Sequence, residues 1–105
     1  MLNELLKDME KNGVEKYIGE VRFERFCNFI CGYKLIQQEN LKEDKLPAYE
    51  FTEYTKKYFG SSNSLTLGWA SFIKFYSGGC HKTAIDTFFK LYKKWHKDEF
   101  GEDAW

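Results

Sequence analysis

Two histidines and three cysteines are the side chains of this sequence best suited to chemistry, and their spacing decides what is open to them. Cys27 and Cys31 stand four apart, and Cys80 is followed at once by His81. Three thiolates and one imidazole would make a tetrahedral zinc set. The spacing speaks against it, because Cys-x₃-Cys is not the usual Cys-x₂-Cys knuckle and an adjacent Cys and His seldom bind one ion. Cys27 and Cys31 read better as small core hydrophobes, so no metal is expected. His81 follows a glycine turn and His96 lies among lysines, and both read as surface or cap residues. Neither has a nearby serine or cysteine with a third, orienting group, so a nucleophilic triad is not signalled. Ser77-Gly78-Gly79-Cys80 lacks the Walker lysine and a preceding strand, so no phosphate loop is expected. The expectation is a protein with no catalytic residue and no cofactor.

Carboxylates are more suggestive. Glu39, Glu43, Asp44, Glu50 and Glu53 form an acidic stretch with Tyr49 inside it and only Lys42 and Lys45 between its ends. Such a local excess of negative charge can steer and hold a basic partner. It equally suits a solvated loop running into a helix whose first turn favours acids. These six residues, Tyr49 included, are the candidate partner-binding set.

The elements that must position them follow from apolar periodicity. Leu2, Leu5, Leu6 and Met9 predict a helix closed by Asn12-Gly13. Residues 13–20 break the period and read as a loop, with Tyr17 and Ile18 tucked into the core. A helix over 21–38 carries Phe23, Phe26, Cys27, Ile30 and Tyr33 on one face. This is the most apolar segment, and the other helices are expected to pack on it, with Gly32 allowing close approach. A polar loop over 40–47 ends at the only proline. A third helix over 48–58 places Phe51, Tyr54, Thr55 and Tyr58 on one face, and the turn residues of 59–64 stop it. The fourth starts near Ser64 or Thr66 and carries Trp69, Phe72, Ile73 and Tyr76. After Ser77-Gly78-Gly79, a helix over 81–97 shows Ala84, Ile85, Phe88, Leu91, Tyr92 and Trp95. Residues 98–105 read as an acidic, flexible tail that can dock in part through Phe100 and Trp105. The fold class is all-α, a compact single-domain bundle of roughly five helices.

Composition narrows the partners. Sixteen basic and sixteen acidic residues cancel, against the basic excess a general nucleic-acid binder needs. Apolar runs fall far short of the ~20 residues of a membrane span. The N-terminus lacks the pattern of a secretory signal, and an odd number of cysteines is no disulfide framework, so a reducing cytoplasm is expected. Aromatic residues make up 19% of the chain, beyond what a minimal core requires, and Tyr and Trp in excess are favoured interface anchors.

Five pieces recur in a familiar order: Tyr17-Ile18-Gly19, Phe26-x-x-Phe29-x-x-Gly32-Tyr33, Phe51-x-x-Tyr54-x-x-x-Tyr58, Gly68-Trp69-x-x-Phe72-Ile73, and Ala84-x-x-x-Phe88-Phe89-x-Leu91-x-x-x-Trp95. With these, the chain resembles a bacterial family of small helical immunity proteins encoded beside polymorphic toxins, contact-dependent growth inhibition systems among them. It departs from that family at Val14-Glu15-Lys16, where an Arg-Pro-Gly-Met type of lead-in is frequent. The resemblance implies a cytoplasmic antitoxin that binds a cognate toxin domain, a nuclease such as an RNase, and occludes it without chemistry of its own. Two other classes compete with it. One is an adaptor or homodimeric domain binding through Tyr49, Phe100 and Trp105, and the other is a small hydrolase or zinc protein built on Cys80 and His81.

Overall fold

Glycine turns and the one proline break up the chain, and most of the segments between them are long enough for at least one helical turn. The computed structural model describes residues 2–40, 48–60 and 68–105, with side chains for all of these except 34–40, 48 and 49. Among the described residues there are six helices and no strand: α1 (Leu2–Asn12), α2 (Glu15–Ile18), α3 (Phe23–Asn40), α4 (Ala48–Tyr58), α5 (Trp69–Tyr76) and α6 (His81–Phe100). The all-α class is therefore as the periodicity predicts.

α6 is the hub. Gly78 and Gly79, both at positive φ, turn the chain into it, and Gly101 at φ 73° ends it by donating its N–H to the Lys97 carbonyl at 2.8 Å. Between them no Gly or Pro interrupts the helix. Its buried residues form two adjacent rows, Ala84, Phe88, Leu91, Trp95 and Ile85, Phe89, Tyr92, His96. Two rows make an apolar face wide enough to serve several neighbours, and α1, α3, α4 and α5 all pack on it. The central place expected for 23–33 is thus taken by α6. Among its described side chains α3 buries one narrow row, Phe23, Phe26, Cys27 and Ile30, which lies chiefly on α6.

Aromatic edges lock the helices together. The Phe51 ring of α4 meets Phe88, Tyr92 and Trp95 of α6 edge-on at 5.8, 6.1 and 5.7 Å, and tilts against Trp69 of α5 at 5.6 Å. Phe26 of α3 meets Phe88 and Phe89 edge-on at 5.0 and 5.5 Å. Edge-to-face pairs of this kind add about 0.5–1.5 kcal/mol beyond area burial.

Two helix starts are capped from a distance. The Trp69 N–H donates to the Thr52 hydroxyl at 3.1 Å, and the Phe23 N–H donates to His81 Nδ1 at 3.0 Å. α5 accordingly begins at Trp69, with Gly68 at its N-cap. Ser64 and Thr66, the expected starts, lie outside the described residues.

The expected loop over 13–20 contains α2, a single turn too short to register as a period. Asp8 of α1 holds it, accepting from the Tyr17 hydroxyl, from Asn12 Nδ2 at 2.5 Å and from Lys16 Nζ at 3.1 Å. Tyr17 also packs on Phe29 of α3, ring centres 5.8 Å apart. The close approach expected at Gly32 is not there. Gly32 is exposed, and a methyl group added to it would meet nothing within 4 Å. The acidic end of the chain is partly structured: residues 98–100 complete α6, and Trp105 packs against Phe89 and Tyr92.

Three outcomes follow from this packing. Gly32→Ala should raise stability by about 0.5–1 kcal/mol in urea denaturation, the ordinary gain of replacing an unconstrained helix glycine. Phe51→Ala should cost about 3–5 kcal/mol in the same measurement. Hydrogen bonds from Tyr17, Asn12 and Lys16 lower the Asp8 carboxyl to about 2. A lowered folded-state value adds stability above the ordinary carboxylate range, and that stability is lost as pH falls through about 2. Asp8→Asn should therefore be less stable than the parent at neutral pH, with the gap closing in acid.

Candidate protein-binding surface

α4 carries the described part of the acidic stretch. Phe51 and Thr55 are fully buried, so the helix turns Glu50 and Glu53, three residues apart, to solvent. Among the described residues neither takes part in an ion pair. Glu50 lies in the first turn, where the helix end favours an acid, and Lys56 and Lys57 fill the last turn with the sign that end favours. Of the six candidate residues, Glu50 and Glu53 are thus brought together on one rigid face. Glu43 and Asp44 lie outside the described residues, as do the side chains of Glu39 and Tyr49.

A second surface lies where α4 and α5 end. Phe59 and Tyr76 stack face to face, centres 4.4 Å apart and planes 5° from parallel. Tyr58 stands edge-on to Phe59 at 5.2 Å, and Phe75 edge-on to Tyr76 at 5.1 Å. The four rings form a continuous row, yet Tyr58, Tyr76 and Phe75 remain 41%, 47% and 78% exposed. Periodicity places Tyr58 and Tyr76 on core-facing rows, but each sits in the last turn of its helix, where the row runs past the edge of the core. The signal in the sequence is the pair of adjacent aromatics before each turn, Tyr58-Phe59-Gly60 and Phe75-Tyr76-Ser77-Gly78. Lys90 of α6 holds its Nζ 5.9 Å from the Tyr58 ring centre.

His96 is not a surface residue. It is 8% exposed, and its ring links three parts of the chain. A backbone carbonyl only accepts, so Nδ1, 2.8 Å from the Glu102 oxygen, must carry the proton. Nε2 then accepts from Asn3 Nδ2 at 3.2 Å, and Asn3 Oδ1 accepts from the Tyr92 hydroxyl at 2.5 Å. Beside this network Glu10 takes bonds from Lys93 Nζ and Trp105 Nε1, each at 2.9 Å. Burial works against ionising Glu10, but those two bonds outweigh it and hold the carboxyl below its usual value. These contacts fasten α1 to α6 and to the residues after it.

The remaining chemistry-bearing residues serve the fold. His81 Nδ1, as acceptor for Phe23, is occupied, and Glu24 Oε1 lies 3.6 Å from it. The exposed Cys80 thiol is lowered by the Thr83 hydroxyl and by N–H groups at the start of α6, though none closes a well-formed cap. The crevice around Cys80 and His81 measures about 20 Å³, room for a single water. Cys27 is buried, and its thiol is pushed up to about 12 by burial and then by Cys31 and Glu24. Cys31, expected in the core, is exposed, since it falls off the row of Phe23, Phe26, Cys27 and Ile30. Among the described residues no three His, Cys, Asp or Glu side chains are grouped to hold a metal, and no helix is long and apolar enough to cross a membrane. No family model, curated protein or solved structure matches the chain.

The His96 network makes a checkable claim. Nitrogen-15 spectra of the neutral ring should report the Nδ1–H form, and an Nε2–H ring would contradict the bonding described. Asn3→Ala removes the donor to the buried Nε2, which should cost about 1–3 kcal/mol in chemical denaturation.

Proposed function

We propose that the chain is an immunity protein: a non-catalytic module that binds a bacterial toxin domain, a nuclease such as an RNase, in the cytoplasm and occludes its active site. The ordered pattern of residues 17–95 supports this reading, and the observation that carries it is the open pair of carboxylates, Glu50 and Glu53, on α4. A nuclease presents cations to the phosphates of its substrate, and carboxylates on an inhibitor can meet those cations in their place. Charge of this kind speeds the encounter and fixes the register of docking. α4 is suited to the task because Phe51 and the Thr52–Trp69 bond already hold it, so little ordering is lost when a partner binds.

A second reading is an adaptor or homodimeric domain, and the exposed aromatic row at the ends of α4 and α5 favours its adaptor form. A monomer at every concentration in sizing measurements would remove the homodimer.

Co-expression with the toxin domain of a neighbouring reading frame tests the first reading. The parent chain should restore growth. The Glu50→Lys/Glu53→Lys chain, with an unchanged urea midpoint, should lose protection and bind about a hundredfold more weakly. Undiminished protection by that variant would take the acidic face out of the proposal, and failure of the parent to rescue would end it.

A further inference from the structure

The row Tyr58–Phe59–Tyr76–Phe75 has a charge character opposite to that of Glu50 and Glu53. The charged group seen over its rings is a cation, Lys90, and two more stand in the last turn of α4. Lys56 and Lys57 precede Tyr58 in the same turn of α4, and Lys90 reaches over the Tyr58 ring from the middle of α6. A helix end accounts for Lys56 and Lys57 without any partner, since cations suit the last turn. It does not account for Lys90, which is far from either end of its helix and is exposed. Among the described residues none of these three lysines is in an ion pair. The arrangement is an exposed apolar centre with a basic rim, which is the anatomy of a docking site for a partner of the opposite sign.

We propose that this surface docks an acidic polypeptide segment, one that sets an apolar side chain on the Phe75–Tyr76 end while its carboxylates face Lys56, Lys57 and Lys90. Aromatics with lysines also suit single-stranded nucleic acid, which needs open ring faces for its bases. Here Phe59 and Tyr76 spend facing sides on each other, and Lys90 lies over Tyr58. What the row offers is mostly edges and the exposed Phe75, a fit for aliphatic and aromatic side chains. A symmetric contact with a second copy would set the two lysine groups against each other, and like charges across an interface cost affinity. The site adjoins the acidic face of α4, since Glu53 and Lys57 stand one helical turn apart, and the two surfaces differ in sign.

A fluorescent peptide alternating glutamate with leucine and phenylalanine is the probe, and anisotropy is the readout. Binding to the parent chain should weaken as salt rises through the physiological range. Phe75→Ser should reduce affinity about tenfold, and Lys56→Glu/Lys57→Glu/Lys90→Glu should abolish it, while Glu50→Lys/Glu53→Lys, which adds positive charge one turn from Lys57, should keep or strengthen it. Because Phe75 is 78% exposed, its substitution keeps the test valid even if the triple variant fails to fold. Three results would overturn the proposal: no binding, equal binding of a peptide with serine in place of glutamate, or equal binding by Phe75→Ser. Tighter binding of an oligothymidylate would reassign the surface to nucleic acid, and peptide-blocked self-association would reassign it to a second copy.

Discussion

Covering both apolar rows of α6 is the condition on which the other helices depend. α1, α4 and α5 are 11, 11 and 8 residues long, below the length at which isolated helices hold together in water. Each gains its stability by laying a row of side chains on Ala84–Phe88–Leu91–Trp95 or Ile85–Phe89–Tyr92–His96. The aromatic share of the sequence is thereby explained in large part. Rings packed at their edges fix the angle as well as the distance between neighbours, so Phe51, touching four other rings, holds α4 in one orientation on α5 and α6. The carboxylates on its outer side inherit that rigidity.

Capping across the fold has a related effect. The amide at the start of α3 is satisfied by an imidazole 58 positions away, and that of α5 by a hydroxyl 17 positions away. Each helix start gains the stability of its cap only when its neighbour is in position. Helix boundaries and tertiary packing are therefore settled together.

This coupling explains what was legible in the residues and what was not. α4 was readable to its ends, since Pro47 and Gly60 bracket a clean period. The start of α5 was not, because the group that caps it, Thr52, belongs to another helix. The row of α3 was readable, but its rank was not: its apolar density hides that its buried row lies chiefly on α6, while α6 itself serves four helices. His96 was misread because lysines surround it in sequence, although Lys94 and Lys97 diverge from it around the helix and Lys93 joins the same seam through Glu10. Gly32 suggested contact and faces solvent. On the candidate surface, the carboxylates of Glu50 and Glu53 were legible as charges next to a buried row. The row of Tyr58, Phe59, Tyr76 and Phe75 was not, because periodicity identifies a face without saying whether a neighbour extends far enough to cover its last turn.

The bonds joining Asn3 to His96, and Glu10 to Lys93 and Trp105, close the molecule into a ring: the first and last described helices share a seam. A chain with that seam bridged by a short linker, and opened instead at the exposed Gly78–Gly79 turn, would carry the same helices in a new order. Its α6 would come first, and α1 would follow it. Most of the contacts that define the arrangement lie between separate helices, so they do not depend on the order in which the helices are joined. The arrangement belongs to the packed surfaces, and the order of synthesis is free to vary.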